Sequence, residues 1–381
     1  MSIDIEKYKA NALKILDPIK PANEKTTACS EFLLNAIRSK AGREIQDYYL
    51  VYFLFVNLLG FENLGKFEKL AWSIPIDYNG KAFLIEHRKM GLGIFIQKNE
   101  DEDDAKIIAK KINGAIQSSR PYFNYLAEEA IKSSQINIVN NNGGLFDRFT
   151  FFLDLYKLEN QNLENLSKER ISIDGNFIFG SEKYHNVKNK ANWLAISTIE
   201  SFFSWTEHLF IHLAVITQRI KTGEDVAKLI DGEWKEKFKA AISDPVLEKY
   251  YIDLILIRNQ VRNFVAHGAF GKEGNAFQFH SGAGAVPVIM NFNKQKNRFS
   301  FEGTLEFKEN EVINLIEAFI SDLNNSTLKP AIIYTQDHGL ITILPHASDG
   351  LYESAVHDNE TMEKFCDYLQ GMFDNSANMD W

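Results

Sequence analysis

The longest helical pattern in the chain runs from about Asn186 to Ile220 and is apolar around much of its circumference. Such a helix cannot leave one side in water, so other elements must cover it nearly all round. Two more helical patterns follow, at about Glu224 to Ile242 and Val246 to Ala266, and Gly268 ends the second. Together the three segments predict an antiparallel helical bundle.

The first half of the chain contains a strand-like pattern. The alternating runs AWSIPIDY and KAFLIEHR are separated by Asn79-Gly80, and both turn residues can adopt the positive φ of a tight hairpin. A third strand is expected at Gly91 to Gln97. The acidic run Glu100 to Asp104 predicts a helix start, because negative charge is favourable at a helix N-terminus. We therefore expect an N-terminal α+β domain over residues 1–165.

The remainder of the chain becomes strand-like after the bundle and returns to a helix at NEVINLIEAFISDL. The last segment resembles a β-hairpin, AIIYTQ and LITILP around DHG, followed by a terminal helix. A chain of 381 residues is long enough for two to three domains. We expect a mainly helical α+β fold with a helical bundle at 181–327, β insertions after its last long helix, and a β-hairpin plus helix at 328–381.

Charge and cysteine content limit the function classes. A net charge of −9 and a pI near 5.6 give no general attraction for polyanions, so nucleic-acid binding needs a local basic patch. Cys29 and Cys366 lie at opposite ends of the chain, which excludes a disulfide framework and a cysteine-rich zinc site. We expect a reducing compartment, no metal and no cofactor.

Membrane insertion and export are not indicated either. The most apolar stretch, Tyr48 to Leu59, is shorter than the roughly 20 residues that a membrane-spanning helix needs. The N-terminus lacks the basic and apolar regions of a signal peptide. The expectation is a cytoplasmic protein with no membrane partner.

The most informative segment is LILIRNQVRNFVAHG, residues 254–268. Asn259, Asn263 and His267 are spaced by four and form one stripe of a helix, while Arg258 and Arg262 form the stripe beside it. A face chosen only for solubility would use Lys, Glu and Gln, because Asn is a poor helix former. This surface instead offers hydrogen-bond donors, two permanent cations and one group that titrates near neutrality.

These residue types suit RNA cleavage by internal transesterification. The 2′-hydroxyl must lose a proton, the 5′-oxygen must gain one, and the pentacoordinate phosphorane carries extra negative charge. A histidine can move the protons and an arginine can hold the charge. The chemistry requires no metal.

The segment Arg262-Asn263-Phe264-Val265-Ala266-His267 resembles the R-x4-6-H motif of the HEPN family (higher eukaryotes and prokaryotes nucleotide-binding), in which Asn follows the Arg. The resemblance covers about residues 186–323 and implies a helical bundle that forms a homodimer with the two motif helices facing each other. It implies a metal-independent endoribonuclease with an RNA substrate, in a bacterial toxin or phage-defence role, and an antitoxin or regulatory protein as a partner.

The resemblance also implies residue roles. Arg262 and His267 would be the catalytic pair, with Asn263 orienting them or the phosphate. Arg258 and Asn259 would position phosphate or base. A Tyr that some family toxins carry two residues after the His, as a target of nucleotidylation, is replaced here by Ala269. Inhibition of that kind is therefore not expected.

Two readings from other classes stay open. One is a catalytically inactive HEPN scaffold that binds a nucleotide or a protein partner, with the N-terminal domain as sensor. The other is a helical interaction protein unrelated to that family.

Two further clusters have structural and functional interpretations. His208 and His212 are spaced i, i+4 beside Glu207, which favours a packed pair over a zinc site because the zincin order H-E-x-x-H is absent. Glu200 and Glu207 can face Arg258 or Arg262 across the bundle, as structural partners or as an active-site acid.

In the N-terminal hairpin, Asp77 and Glu86 with Arg88 faintly resemble the PD-(D/E)xK nucleases, whose strand carboxylates bind Mg²⁺. Arg88 stands where that pattern has Lys. A solvated hairpin face explains these residues more simply.

Overall fold

A computed structural model describes residues 3–22, 32, 35–171, 182–267, 277–282, 284–290, 299–300 and 309–379. Within these, it describes the backbone alone for residues 167–171, 260, 262–267, 277–279, 287–290 and 299–300. The fold is mainly helical with small antiparallel sheets, as the sequence predicts. No helix in the ranges just given has both the length and the apolarity to cross a bilayer.

The chain divides into two compact units. The first comprises Met1–Ser133 and Asp367–Trp381, and the second Ser134–Cys366. This division falls elsewhere than the expected boundaries near residues 165 and 328, because the helix that begins at Asn142 packs against the long helix of the bundle. The ring of Phe149, for example, lies 6.0 Å from that of Phe202.

The first unit is an α+β unit built on a five-stranded antiparallel sheet in the order β1-β3-β4-β5-β2. Its elements are α1 (Ile5–Leu16), β1 (Lys20–Pro21), β2 (Ile37–Arg38), α2 (Tyr48–Tyr52), which continues as a π-helical turn (Phe53–Leu58), β3 (Leu70–Tyr78), β4 (Lys81–Arg88), β5 (Gly91–Ile96), α3 (Glu102–Ser118) and α4 (Arg120–Lys132).

Two predictions for this unit are confirmed. Asn79 and Gly80 have φ of 52° and 79° and join β3 to β4, so the tight hairpin is present. The acidic run precedes and begins α3, whose first turn contains Glu102, Asp103 and Asp104. Ile108 and Ile112 on the buried face of α3 belong to the same core as the strand residues. Burying each such side chain contributes roughly 1.5–3 kcal/mol.

The second unit is built around one long helix. Its elements are β6 (Asn137–Ile138), α5 (Asn142–Ile171), α6 (Glu182–Ile216), α7 (Gly223–Asp231), α8 (Trp234–Ala241), α9 (Pro245–Glu248), α10 (Tyr251–His267), β7 (Phe277–Ser281), β8 (Gly284–Met290), β9 (Phe299–Ser300), α11 (Glu309–Asn324), α12 (Lys329–Ile332), β10 (Thr342–Ile343) and α13 (Leu351–Ala355). The terminal helix α14 (Asn359–Asn378) contributes residues to both units.

Aromatic packing on α6 forms the centre of the second unit. The ring of Phe210 lies 5.6 Å from Trp234 and 5.5 Å from Phe238 of α8, and Phe202 lies 5.9 Å from Phe319 of α11. All of these side chains are buried. As expected for a helix that is apolar nearly all round, α6 is covered by other helices.

The predicted C-terminal β-hairpin is wrong. Residues Lys329–Ile332 form α12 and continue as a π-helical turn (Ile333–Asp337), while β10 pairs with the distant β6. Ala331 to Thr335 are buried without a break, and a helix covered on all sides accommodates such a run. The Asn140 side-chain amide donates to the carbonyl oxygens of Thr335 (2.8 Å) and Leu340 (2.9 Å), which holds the end of this turn.

Candidate functional site

The candidate motif lies on the last two turns of α10, the helix that ends at His267. The side chains of Arg262, Asn263 and His267 fall outside the side chains that the structure describes. Their backbone is helical throughout, so Arg262 occupies the position one turn beyond Arg258 and His267 the last position.

The described part of α10 has two distinct faces. Leu254, Ile257 and Val261 recur at intervals of three and four residues and are all buried, so they form one apolar face of the helix. Asn259 is exposed, on the side that also carries the exposed Ile252 and Leu256. Arg258 is half-buried between these faces, where its guanidinium can reach other helices.

A cavity of about 570 Å³ opens beside Arg258 in the second unit. Its polar lining comes from three helices: Glu200, Ser204, Glu207 and His208 of α6, Lys237 of α8, and Arg258 of α10. The apolar lining consists of Leu145, Phe203, Ile211 and Val261. A site of this size, with apolar walls and a few converging polar groups, is typical of ligand pockets.

Three charged residues that line the cavity, Glu207, Lys237 and Arg258, form an ion-pair network. Glu207 Oε1 lies 2.8 Å from Lys237 Nζ, and Glu207 Oε2 lies 3.5 Å from an Arg258 guanidinium nitrogen. The Lys237 side chain is only 5% exposed, so its charge depends on this carboxylate for compensation. Of the two partners considered for Arg258 from the sequence, the structure assigns Glu207.

The rim of the cavity carries polar groups that this network does not use. Arg148 of α5 donates to Ser204 Oγ at 2.8 Å, so the hydroxyl hydrogen of Ser204 remains available for a second bond. Glu200 lies one turn before Ser204 on α6 and is exposed. Its carboxylate forms no hydrogen bond or ion pair with any side chain in the described ranges.

His208, which lines the cavity, forms a hydrogen-bonded pair with the buried His212. The backbone N–H of Asn141 donates to His208 Nε2 at 2.9 Å, so this nitrogen is an acceptor. His212 Nε2, at 3.1 Å, must then carry the hydrogen and donate to it. His212 Nδ1 is left to accept from the Thr342 hydroxyl at 2.7 Å.

Both histidines are held in the neutral form. Burial, together with a smaller effect of the adjacent His208, lowers the pKa of His212 to about 3. Burial also lowers the pKa of His208, and the nearby Lys237 ammonium acts in the same direction. A zinc site at this pair is not supported, because the Asn141 N–H and His212 Nε2–H already share the lone pair of His208 Nε2.

The nuclease-like carboxylates of the first unit do not converge. Asp77 pairs with Ala82 and Glu86 with Ser73, which separates the two carboxyl-bearing residues by about 13 Å along the sheet. Glu86 is buried and accepts from Ser73 Oγ at 2.8 Å and from Arg88 at 2.6 Å. These bonds give it a structural role, and no group of three or more metal-ligating side chains occurs in the ranges that the structure describes.

Sequence reasoning missed Lys237, Ser204 and Arg148. The signal for Lys237 is its position within the apolar stripe of α8, between Trp234 and Ala241, where a lysine needs an anionic partner. Ser204 and Arg148 left no comparable signal, because an exposed arginine and a helical serine are common surface residues.

Comparison of the chain with protein-family models, with curated proteins and with solved structures finds no match. The residues and geometry of the second unit therefore carry the functional argument.

Proposed function

We propose that the protein is a metal-independent endoribonuclease of the HEPN type, which cleaves RNA by attack of a 2′-hydroxyl on the neighbouring phosphate. The observation that carries the proposal is the placement of Arg262, Asn263 and His267 on the last two turns of a long helix, directly beyond the cavity that Arg258 lines. The residue types supply proton transfer and charge stabilisation without a metal.

Each motif residue has one role in this reaction. His267 acts as general base or general acid, because a histidine titrates near neutrality. Arg262 stabilises the extra negative charge of the phosphorane, for which a planar guanidinium is well suited. Asn263 orients this pair or the phosphate, and Arg258 and Asn259 position the strand.

The surface of α10 supports a homodimer in which the two motif helices face each other. Ile252 and Leu256 are 74% and 49% exposed, and they share the exposed side of the helix with Asn259. Large apolar side chains gathered on one exposed face are typical of surfaces that bind a partner. A second copy seated there brings two motif segments to one cleft.

We also propose a toxin or phage-defence role, with an antitoxin or regulatory protein as a partner. The physical reason for such a partner is that uncontrolled cleavage of cellular RNA is harmful to the cell that makes the enzyme. Expression of the wild-type chain is therefore expected to arrest growth, and expression of Arg262→Ala or His267→Ala is expected not to.

The deciding experiment is cleavage of total RNA and of a single-stranded oligonucleotide in EDTA. The wild type should cleave and leave 2′,3′-cyclic phosphate ends, and Arg262→Ala and His267→Ala should lose at least about 100-fold in rate. Lys228→Ala, an exposed lysine on α7, provides a matched control for loss of a basic side chain outside the motif. Circular dichroism establishes that each variant is folded. Cleavage that requires a divalent metal and survives both substitutions would overturn the proposal.

The second candidate function is a catalytically inactive scaffold that binds a nucleotide or a protein partner. The ion pair between Arg258 and Glu207 favours it, because a carboxylate beside the guanidinium offsets part of the positive charge that a phosphorane would need. Nucleotide binding with no cleavage and no toxicity, in a folded protein, would select this candidate.

A further inference from the structure

The motif residues account for cleavage of the phosphate without the cavity beside Arg258. The cavity is therefore available to bind another part of the RNA. It is formed by α5, α6, α8 and α10, and Val261, which lines it, directly precedes Arg262 in the chain. The four residues from Arg258 to Arg262 rise about 6 Å along the helix. A nucleotide next to the bond being cleaved can therefore place its base in the cavity.

The walls of the cavity suit a flat aromatic ring. Phe203, Ile211 and Val261 supply apolar surface, and all three are buried. Bases of single-stranded RNA are recognised when they are splayed out of the strand and packed against such surfaces, with hydrogen bonds to their edges. The volume of about 570 Å³ leaves room for a purine with its ribose.

The polar rim selects among the bases. Glu200 presents two carboxylate oxygens that no side chain in the described part of the chain engages, while Glu207 is held by Lys237 and Arg258. One turn beyond Glu200, Ser204 has a hydroxyl hydrogen to donate because Arg148 donates to its oxygen. The rim therefore offers a pair of acceptors next to a donor.

Guanine is the base that matches this arrangement. Its N1–H and N2–H groups are adjacent donors for one carboxylate, and its O6 beside them accepts a hydrogen bond. Adenine and cytosine present a ring nitrogen lone pair next to their amino group, and uracil presents a single N–H between two carbonyl oxygens. Each of those bases would donate to one carboxylate oxygen at most and direct an acceptor at the other, which leaves that second oxygen unpaired.

We propose that this cavity is a guanine-specificity site, with Glu200 as the residue that determines the base and Ser204 as the donor to its O6. The inference rests on the proposed endoribonuclease function, because it assigns the base that lies next to the cleaved bond. It adds a preference for guanine that the motif residues themselves do not provide.

The first test measures binding without cleavage. Isothermal titration of GMP, AMP, CMP and UMP into the folded Arg262→Ala/His267→Ala double variant reports the base preference of the cavity alone. GMP should bind at least about tenfold more tightly than the other three, because only guanine donates two hydrogen bonds to the same carboxylate. Equal affinities, or no binding of any nucleotide at millimolar concentration, would overturn the inference.

The second test changes the carboxylate. Glu200→Gln, made in the same double variant, replaces one acceptor oxygen by a donor and should remove the GMP preference while leaving AMP binding within about twofold. Glu182→Gln, on the first turn of the same helix, is the matched control and should change neither. A GMP preference that persists in Glu200→Gln would exclude Glu200 as its source.

Sequencing of cleavage ends separates this inference from the proposed function. If the wild type cleaves next to guanine and Glu200→Gln cleaves without base preference, both the guanine site and the endoribonuclease function are supported. Cleavage with no base preference in the wild type overturns the guanine site and leaves the endoribonuclease standing. If GMP binding depends on Glu200 but the wild type does not cleave RNA, the cavity is a guanine site and the endoribonuclease proposal fails.

Discussion

Lys237 Nζ lies 2.8 Å from Glu207 Oε1, and the lysine side chain is almost completely buried. The two partners of this ion pair are not equivalent, because the Glu207 side chain is 33% exposed and also approaches Arg258. A buried ammonium without its carboxylate keeps its desolvation cost, whereas the carboxylate without its lysine still has water and a guanidinium.

Glu207→Gln is therefore expected to destabilise the fold by about 2 kcal/mol. Lys237→Met, which replaces the buried charge by an apolar chain of similar length, should cost less than about 1 kcal/mol. Urea denaturation followed by circular dichroism compares the two. If Lys237→Met loses more unfolding free energy than Glu207→Gln, the buried lysine is not the partner that depends more on the ion pair.

The pair of His212 and Thr342 predicts a dependence of stability on pH. The folded-state pKa of His212 is lowered from 6.5 to about 3 by burial, so between these values the unfolded chain binds a proton that the folded chain does not. The stabilising contribution is present above pH 6.5 and is lost as the pH falls, by up to about 1.4 kcal/mol per pH unit.

His212→Gln keeps polar groups at this position and removes the titration. Lowering the pH from 7 to 5 should reduce the unfolding free energy of the wild type by about 2 kcal/mol more than that of His212→Gln. Thr342→Val is the comparison variant: it loses the bond to Nδ1, at about 1–2 kcal/mol, but keeps the histidine and its pH dependence. An equal slope in wild type and His212→Gln would mean that His212 is protonated in the folded protein.

Local signals account for the parts of the fold that the sequence predicts. The turn at Asn79-Gly80 depends on two residues that tolerate positive φ, and the start of α3 depends on charges in its first turn. Both are properties of a few neighbouring residues. The buried face of α10 at Leu254 and Val261 likewise follows from helical spacing alone.

Long-range packing accounts for the parts that the sequence does not predict. The strand-favouring residues around Tyr334 predict a hairpin, but a continuously buried run fits a helix as well as a strand, and only the packing around it decides between them. At the site, Glu207 was one of two partners considered for Arg258, and only the approach of α6 to α10 decides between them. Lys237 comes from a third helix, and its place in the cavity depends on how all three pack.

The hairpin turn gives a stability prediction for the first unit. Gly80 has φ of 79°, and a Cβ added there meets no atom within 4 Å, so a substitution acts through the backbone alone. Gly80→Ala should cost about 1 kcal/mol, because an L-residue with a Cβ is strained in this region. Asn79→Gly should be close to neutral. A neutral Gly80→Ala in urea denaturation would mean that the turn relaxes to another geometry.

Dimerisation through α10 is the last prediction and depends on the proposed function. Ile252→Glu or Leu256→Glu places a charge on the apolar side of the motif helix and should convert a dimer to monomers, because an unpaired charge in an apolar interface is costly. RNA cleavage should fall with the dimer fraction, since each cleft needs two motif segments. Sedimentation velocity measures the oligomeric state, and cleavage in EDTA measures activity at matched protein concentration.

Ile230→Glu is the matched control for this surface. Ile230 of α7 is 49% exposed, as is Leu256, but it lies on a helix that carries no motif residue. It should leave both the oligomeric state and the cleavage rate unchanged. If Leu256→Glu and Ile230→Glu remain equally dimeric and equally active, α10 is not the interface, and the composite cleft must be abandoned even where Arg262 and His267 prove essential.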